Sequence, residues 1–265
     1  MDLLSIEKNE NIVVLSFNRP DSLNALGMQG DGEATRQACE AINSDREVRC
    51  VVLKGAGRAF CSGGDVKAMA SKSGAFGGGG PEIWRNYRRE FQLLTRAIYG
   101  LEVPVIAAVH GAAAGLGCDI ACLADIRIAS EDARFAVTFL KAGLIPGDGG
   151  AWLLQRSVGF SRAAELLYTG KFIDAQTAER WGLVSRVVPR EALLDSALEL
   201  AASIAQQPPH ALRLAKSLLR QGRESSYEAV MEMSATAQVL CHLTEDHEEG
   251  VAAILERRIP RFTGQ

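Results

Sequence analysis

Two stretches of the 265-residue chain run an apolar segment into a glycine-rich loop and on into a helix-forming segment. One is Val51–Met69, VVLKGAGRAFCSGGDVKAM; the other is Val105–Asp125, VIAAVHGAAAGLGCDIACLAD. An apolar run of this kind reads as a strand covered on both faces, which requires helices on either side. The glycines allow a tight turn, and the helix start beyond them directs free N–H groups and a positive dipole end at whatever lies there. Chemistry is therefore expected at the ends of these two strands, in an α/β fold. The 26 glycines reinforce the point, clustering at 54–65, 74–80, 111–117 and 143–150 instead of forming one linker.

The remaining pattern follows from periodicity. Ile12–Phe17, Cys50–Lys54, Val103–Val109, Ile126–Ala129, Phe135–Phe139 and Leu183–Val188 read as strands. Gly32–Asn43 reads as a helix, and so does Glu82–Tyr99, with Ile83, Tyr87, Phe91, Leu94 and Ile98 on one stripe and Arg85, Arg88, Arg89 and Arg96 on a solvated side. Ser161 is expected to cap a helix through Tyr168, and Asp174 another through Trp181. From Glu191 the chain is helical throughout, with breaks at Gln207-Pro208-Pro209 and Leu243-Thr244, and Thr244 is expected to cap the last helix. The order predicts an α/β core over residues 1–190 and a helical region over 191–265. Gly74–Gly80 reads as a mobile flap.

Composition excludes several functions. A net charge of −3 is not a nucleic-acid footprint. The longest uncharged stretch, Val103–Cys118, is shorter than the ~20 apolar residues a spanning helix needs, so no membrane partner is expected. With charges throughout its first ten residues the chain is not expected to carry a secretory signal, nor a targeting tail in FTGQ. The six cysteines lack paired spacing and read as buried free thiols in a reducing compartment, the cytoplasm. Of the four histidines only His242 and His247 are close in sequence, and an exposed helix face accounts for them; no metal is expected.

Three familiar sites fail on the glycine loops. Neither carries the Gly-Lys-Ser/Thr of a phosphate-binding loop, and Gly115-Leu116-Gly117-Cys118-Asp119-Ile120 lacks the third glycine of a dinucleotide fingerprint. Ser62 lacks the Gly-x-Ser-x-Gly context and an evident histidine partner. A pair of backbone amides, one from each loop, polarising a carbonyl remains.

Arg58-Ala59-Phe60-Cys61-Ser62-Gly63-Gly64-Asp65-Val66 resembles the oxyanion segment of the crotonase superfamily, the enoyl-CoA hydratases and isomerases. Pro104–Gly111 with Ala114–Asp119 resembles its second oxyanion segment. The likeness continues through Asn18-Arg19-Pro20, Leu23–Leu26, Asp125–Ala129, Gly143–Gly150 and Trp181–Val184, and so covers the whole chain. It implies a spiral of repeated ββα units, a helical C-terminal trimerisation region, a homotrimer or dimer of trimers, and an acyl-coenzyme A substrate. Coenzyme A enters as part of that substrate, and no separate cofactor is implied. By position, the amides of Gly64 and Leu116 would hold the thioester oxygen, Leu116 standing where the family has glycine. Ser62, Asp65, Val66 and Lys67 would line the coenzyme A channel, with Asn24, Ala25 and Leu26 near its adenine and pantetheine end. Phe262 would reach the nucleotide portion.

The likeness also implies two catalytic glutamates for hydration. Asp119 stands at the first position and Phe139 at the second, where no proton can be exchanged. Asp148 is the other nearby carboxylate, one residue beyond the place of a catalytic aspartate in some double-bond-shifting relatives, which is Gly147 here. Asp148 alternatively serves the turn, and Asp119 a helix cap. An enoyl-CoA hydratase/isomerase is expected. The open alternatives are a double-bond or ring isomerase using Asp119 or Asp148 alone, and a catalytically impaired acyl-CoA binder.

Overall fold

A computed structural model describes residues 2–265. Among the described residues nine strands form two sheets. The larger sheet contains β1 (Leu4–Asn9), β2 (Ile12–Phe17), β3 (Cys50–Gly55), β4 (Val105–Val109), β6 (Ile126–Ser130) and β9 (Arg186–Val188), in that spatial order. The smaller contains β5 (Ala112–Ala114), β7 (Arg134–Ala136) and β8 (Ile173–Asp174). All neighbours from β2 to β9 in the larger sheet are parallel; β1 closes the edge as an antiparallel hairpin partner of β2. The charged LSIEKN sequence of β1 hid this strand from periodicity, and it suits an edge, where charge opposes unwanted pairing.

The helices are α1 (Asp31–Ser44), α2 (Val66–Ser71), α3 (Gly80–Asn86), α4 (Leu93–Tyr99), α5 (Leu116–Leu123), α6 (Gly150–Val158), α7 (Phe160–Thr169), α8 (Ala175–Arg180), α9 (Leu193–Ala205), α10 (Pro209–Gln221), α11 (Tyr227–His242) and α12 (Glu245–Glu256). The chain winds through repeated turns in which one strand joins the larger sheet, the next segment the smaller, and a helix follows. β4–β5–α5 is one such turn, and β3, Cys61 and α2 form another, with a single bridge from Cys61 to Ala113 in place of a strand.

Pleating explains the layers. On β3, Val51 and Leu53 enter the main core while Cys50 and Val52 face the opposite side, against Ala197 and Ala201 of α9. On β4, Val105, Ala107 and Val109 face the main core and Ile106 and Ala108 face α9. The helical region is thus joined to the α/β core by a shared apolar layer.

Several expected boundaries move. The strand expected over Phe135–Phe139 stops at Ala136, and Phe139 opens a 3₁₀ turn through Ala142 that Gly143 ends in a left-handed conformation. Only Arg186–Val188 of Leu183–Val188 pairs, and Val103 lies before Pro104, outside β4. Ser161 caps nothing: α7 begins after Gly159, whose φ of 81° turns the chain. Asp174 and Thr244 do cap, accepting from the Thr177 and His247 amides. The Glu82–Tyr99 helix is present but passes through a π-helical segment, Tyr87–Gln92, between α3 and α4. The start of the expected flap is docked. Ala75 is buried and its N–H donates to the Gly27 carbonyl, while the Phe76 ring lies 5.4 Å from that of Phe91. All six cysteines are free thiols, five of them buried.

Candidate active site

The two glycine loops meet directly. The Cys61 N–H donates to the Ala112 carbonyl and the Ala114 N–H to the Cys61 carbonyl, each at 3.0 Å. A side chain on Gly117 would place its Cβ 2.0 Å from the Cys61 oxygen, so only glycine permits this approach. Gly63, at φ +93°, turns the first loop toward the second, and a Cβ there would lie 3.4 Å from the Leu116 nitrogen. The turn leaves the Gly64 and Leu116 amides without an acceptor among the described residues. Leu116 opens α5, so its N–H is one of the orphan donors of a helix start and adds the positive dipole end. Two convergent donors of this kind suit an oxygen that gains charge during reaction.

A third segment fixes the first loop. Asn24, in the left-handed region at φ 57°, is fully buried. Its Nδ2 donates to the carbonyls of Ala56, Ala59 and Phe60 at 2.9–3.1 Å, and its Oδ1 accepts the Arg19 amide at 2.8 Å. Leu26, also buried, bridges Gly64: its N–H donates to the Gly63 carbonyl and its carbonyl accepts the Asp65 amide. These side chains organise the loop and offer a ligand no surface, contrary to a direct contact role; Ala25 between them is partly exposed. Asn24→Ala is expected to leave three loop carbonyls unpaired and to cost about 3 kcal/mol, lowering Tm by about 5–10 °C in a thermal melt.

Asp65 caps α2, accepting from the Lys67 and Ala68 amides, while Val66 and Lys67 project from the helix start into solvent. Ser62 is partly exposed and its hydroxyl donates to the Ser22 carbonyl at 3.5 Å. Phe139 lies beside the second loop, 3.9 Å from where a Cβ of Gly115 would sit. Phe262 is not brought to the loops. Its carbonyl accepts from Arg49 and its ring lies 3.5 Å from a Cβ position on Gly250 of α12, so within one chain it serves the C-terminal helices. His242 and His247 meet at 2.9 Å where α11 turns into α12, but no group of three or more metal-ligating side chains exists among the described residues.

The acidic centre lies behind Leu116. Asp119, in the first turn of α5, is fully buried and neither oxygen has a hydrogen-bond partner among the described residues. It presses against α6, where a Cβ on Gly150 would lie 2.0 Å from its Oδ2. Asp148, just before α6, is 5% exposed, with Oδ1 unpartnered. Burial, then the charge of Asp148, push the Asp119 carboxyl well above the usual carboxylate range. Burial also raises the Asp148 carboxyl. Both carboxyls are therefore held above the ordinary carboxylate range, Asp119 the further, so the protonated form is favoured most at Asp119. A paired acid and base next to two free amides can move a proton at a carbon adjacent to a polarised carbonyl.

The chain matches the family model described as Enoyl-CoA hydratase/isomerase over residues 7–265. The chain belongs to the enoyl-CoA hydratase/isomerase family. It is 36% identical to a probable enoyl-CoA hydratase of Mycobacterium tuberculosis, over 99% of this chain and 98% of that protein. It is 34% identical to the 1,2-epoxyphenylacetyl-CoA isomerase of Escherichia coli, over the whole of both. The crystal structure of an enoyl-CoA hydratase from Bacillus anthracis superposes with a TM-score of 0.93 at 34% identity, covering both chains completely. This family membership makes the fold crotonase-like and the protein an enzyme of the hydratase/isomerase class. Among the described residues, no helix is long and apolar enough to cross a membrane.

What sequence reasoning missed is the wall around Asp148. The Tyr87 ring lies 3.0 Å from a Cβ position on Gly147, and Gln92 donates to the Gly147 carbonyl at 3.0 Å. Both come from the π-helical segment, whose wider turn brings residues five apart to one side. A stripe of apolar spacing marked Tyr87 as core, and only the π register signals otherwise.

Proposed function

We propose that the Gly64 and Leu116 amides bind the carbonyl oxygen of an enoyl-coenzyme A thioester and that the Asp119–Asp148 pair moves the proton. Polarisation by the amides acidifies the carbon next to the thioester carbonyl, and the enolate that forms places its charge on the gripped oxygen. Ionised Asp148 accepts the proton and protonated Asp119 supplies one. The observation that carries this reading is two buried carboxyls with unpartnered oxygens together with two unpaired loop amides. Because Phe139 sets an apolar ring where the family resemblance expects a second glutamate, an allylic double-bond shift is the reaction this site supports best. Hydration is the second reading, favoured by a pair that holds an acid and a base together.

Coenzyme A would enter along the start of α2, past Ala25, Ser62, Asp65, Val66 and Lys67, and no further cofactor is required by this chemistry. Exposed Tyr227, Leu243, Ile254 and Leu255 on α11, α12 and their junction support association through the C-terminal region, as a homotrimer or dimer of trimers. Unpaired thiols support a cytoplasmic setting.

The test uses two substrates. Incubated with a 3-enoyl-CoA in deuterated buffer, the enzyme is expected to form the 2-enoyl isomer with deuterium incorporated at the α or γ carbon, read by NMR. Crotonyl-CoA is expected to lose its enoyl-thioester absorbance slowly or not at all. Rapid loss moves the assignment to hydration, and the absence of exchange and hydration alike, with tight thioester binding, leaves only a binder.

A further inference from the structure

The segment that carries the Asp148 carboxyl is thinly held. Asp148 stands between Gly147 and Gly149, the latter at φ +110°, so neither neighbour restrains it sterically. Among the described residues, one hydrogen bond ties the main chain of 145–148 to another part of the fold: Gln92 Nε2 donates to the Gly147 carbonyl at 3.0 Å. Gln92 and Asp148 also line one cavity, of about 400 Å³, that opens between α4 and α6.

The amide arrives there because of the π-helical turn. Five residues apart, Tyr87 and Gln92 would stand about 140° apart around an α-helix of 3.6 residues per turn. In the π register both reach Gly147, the Tyr87 ring against its Cα and the Gln92 amide at its carbonyl. The rest of the turn is anchored elsewhere. Buried Glu90 accepts the Gly30 and Gly32 amides at 2.9 and 3.2 Å, and a Cβ on Gly32 would collide with the Arg89 carbonyl. The Phe91 ring packs on those of Tyr87 and Phe76, with centroids 4.8 and 5.4 Å away. The turn is thus fixed against α1 and the loop of residues 74–76, and from that base it reaches the Asp148 segment. Such π turns are rare and recur at functional sites.

We propose that Gln92 is a positioning residue for the proton step, holding the Asp148 carboxyl in place through the Gly147 carbonyl, and that the π register serves to deliver its amide. The proposal rests on the reading of Asp148 as the proton acceptor. A misplacement of about 1 Å can cost a reaction about 100-fold, so the one outside bond on a glycine-flanked carboxylate has a rate to control.

A double-mutant cycle reads this directly. Gln92→Met keeps the length of the side chain and cannot donate. It is expected to lower kcat for the 3-enoyl-CoA by about 10- to 100-fold. KM and the calorimetric affinity for non-reacting octanoyl-CoA stay near wild-type values, and Tm falls by a few degrees at most. In an Asp148→Asn background the same substitution is expected to cost about twofold or less, because the group it positions is already gone. A kcat loss of equal size in both backgrounds overturns the proposal, since Gln92 then acts on something other than Asp148. So does an unchanged kcat, and so does a loss confined to KM, octanoyl-CoA affinity or Tm. If the Asp148→Asn single variant turns over like the wild type, Asp148 is not the proton acceptor and that reading falls together with the proposal. An impaired Asp148→Asn enzyme with additive losses overturns the role of Gln92 alone.

Discussion

Asp119→Asn lowers kcat by about 10²- to 10⁴-fold with little change in KM, the range for removing a positioned acid–base group. The variant keeps the two amides and the cavity, so thioester binding survives and the loss falls on the proton step. The pH profile adds a sharper reading. In the wild type, activity falls on the alkaline side as Asp119 gives up its proton. Asp148→Asn removes the like charge that helps raise Asp119, so its residual activity is lost at a lower pH than in the wild type. A fall in kcat with no movement of the alkaline limb would show that the carboxyls do not titrate as a pair.

The same substitution is expected to raise stability. A carboxyl whose pKa is higher in the folded than in the unfolded chain keeps its proton when folded and releases it when unfolded. The folded state therefore loses ground as pH rises from about 3.9, the unfolded value for aspartate, toward the raised folded value. Asparagine carries no such penalty. Melting temperatures of Asp119→Asn and the wild type should be closest near pH 4 and diverge toward pH 8 in favour of the variant, by roughly 2–4 °C for each kcal/mol relieved. A variant equally or less stable at pH 8 would contradict a buried, strained dyad.

Gly117→Ala is expected to destroy the site and much of the stability together. Its Cβ would stand 2.0 Å from the Cys61 carbonyl oxygen, a backbone atom held by the Ala114 N–H. Relief requires α5 and the first loop to separate, which breaks the Cys61–Ala113 bridge and carries the Leu116 amide away from that of Gly64. Overpacking against backbone costs about 3 kcal/mol or more, or a Tm lower by about 10 °C. Turnover should vanish even in whatever fraction remains folded, as measured at a temperature well below the variant's Tm. An active, stable Gly117→Ala enzyme would mean that the two loops need not touch.

Sequence periodicity located the central strands, since Val13–Phe17, Val51–Leu53 and Val105–Val109 are apolar runs with no alternative use. It located the glycine loops and the C-terminal helices for similar reasons, local pattern and local caps. It failed at β1, whose charges suit an edge, and at Phe139, whose run of apolar neighbours reads as strand but turns into 3₁₀ geometry at Thr138. It failed also at Asn24, because nothing local tells a buried loop organiser from a ligand contact.

By itself, then, the sequence determined an α/β chain with two amide-bearing loops and two candidate aspartates, because glycines, apolar runs and helix starts act within a few residues of themselves. Only the tertiary structure decided that Asp119 and Asp148 are buried with unpartnered oxygens, and that Gly117 is the point where the loops touch. Those properties depend on burial and on contacts between segments far apart in the chain, and desolvation and steric exclusion come into being only when the layers close.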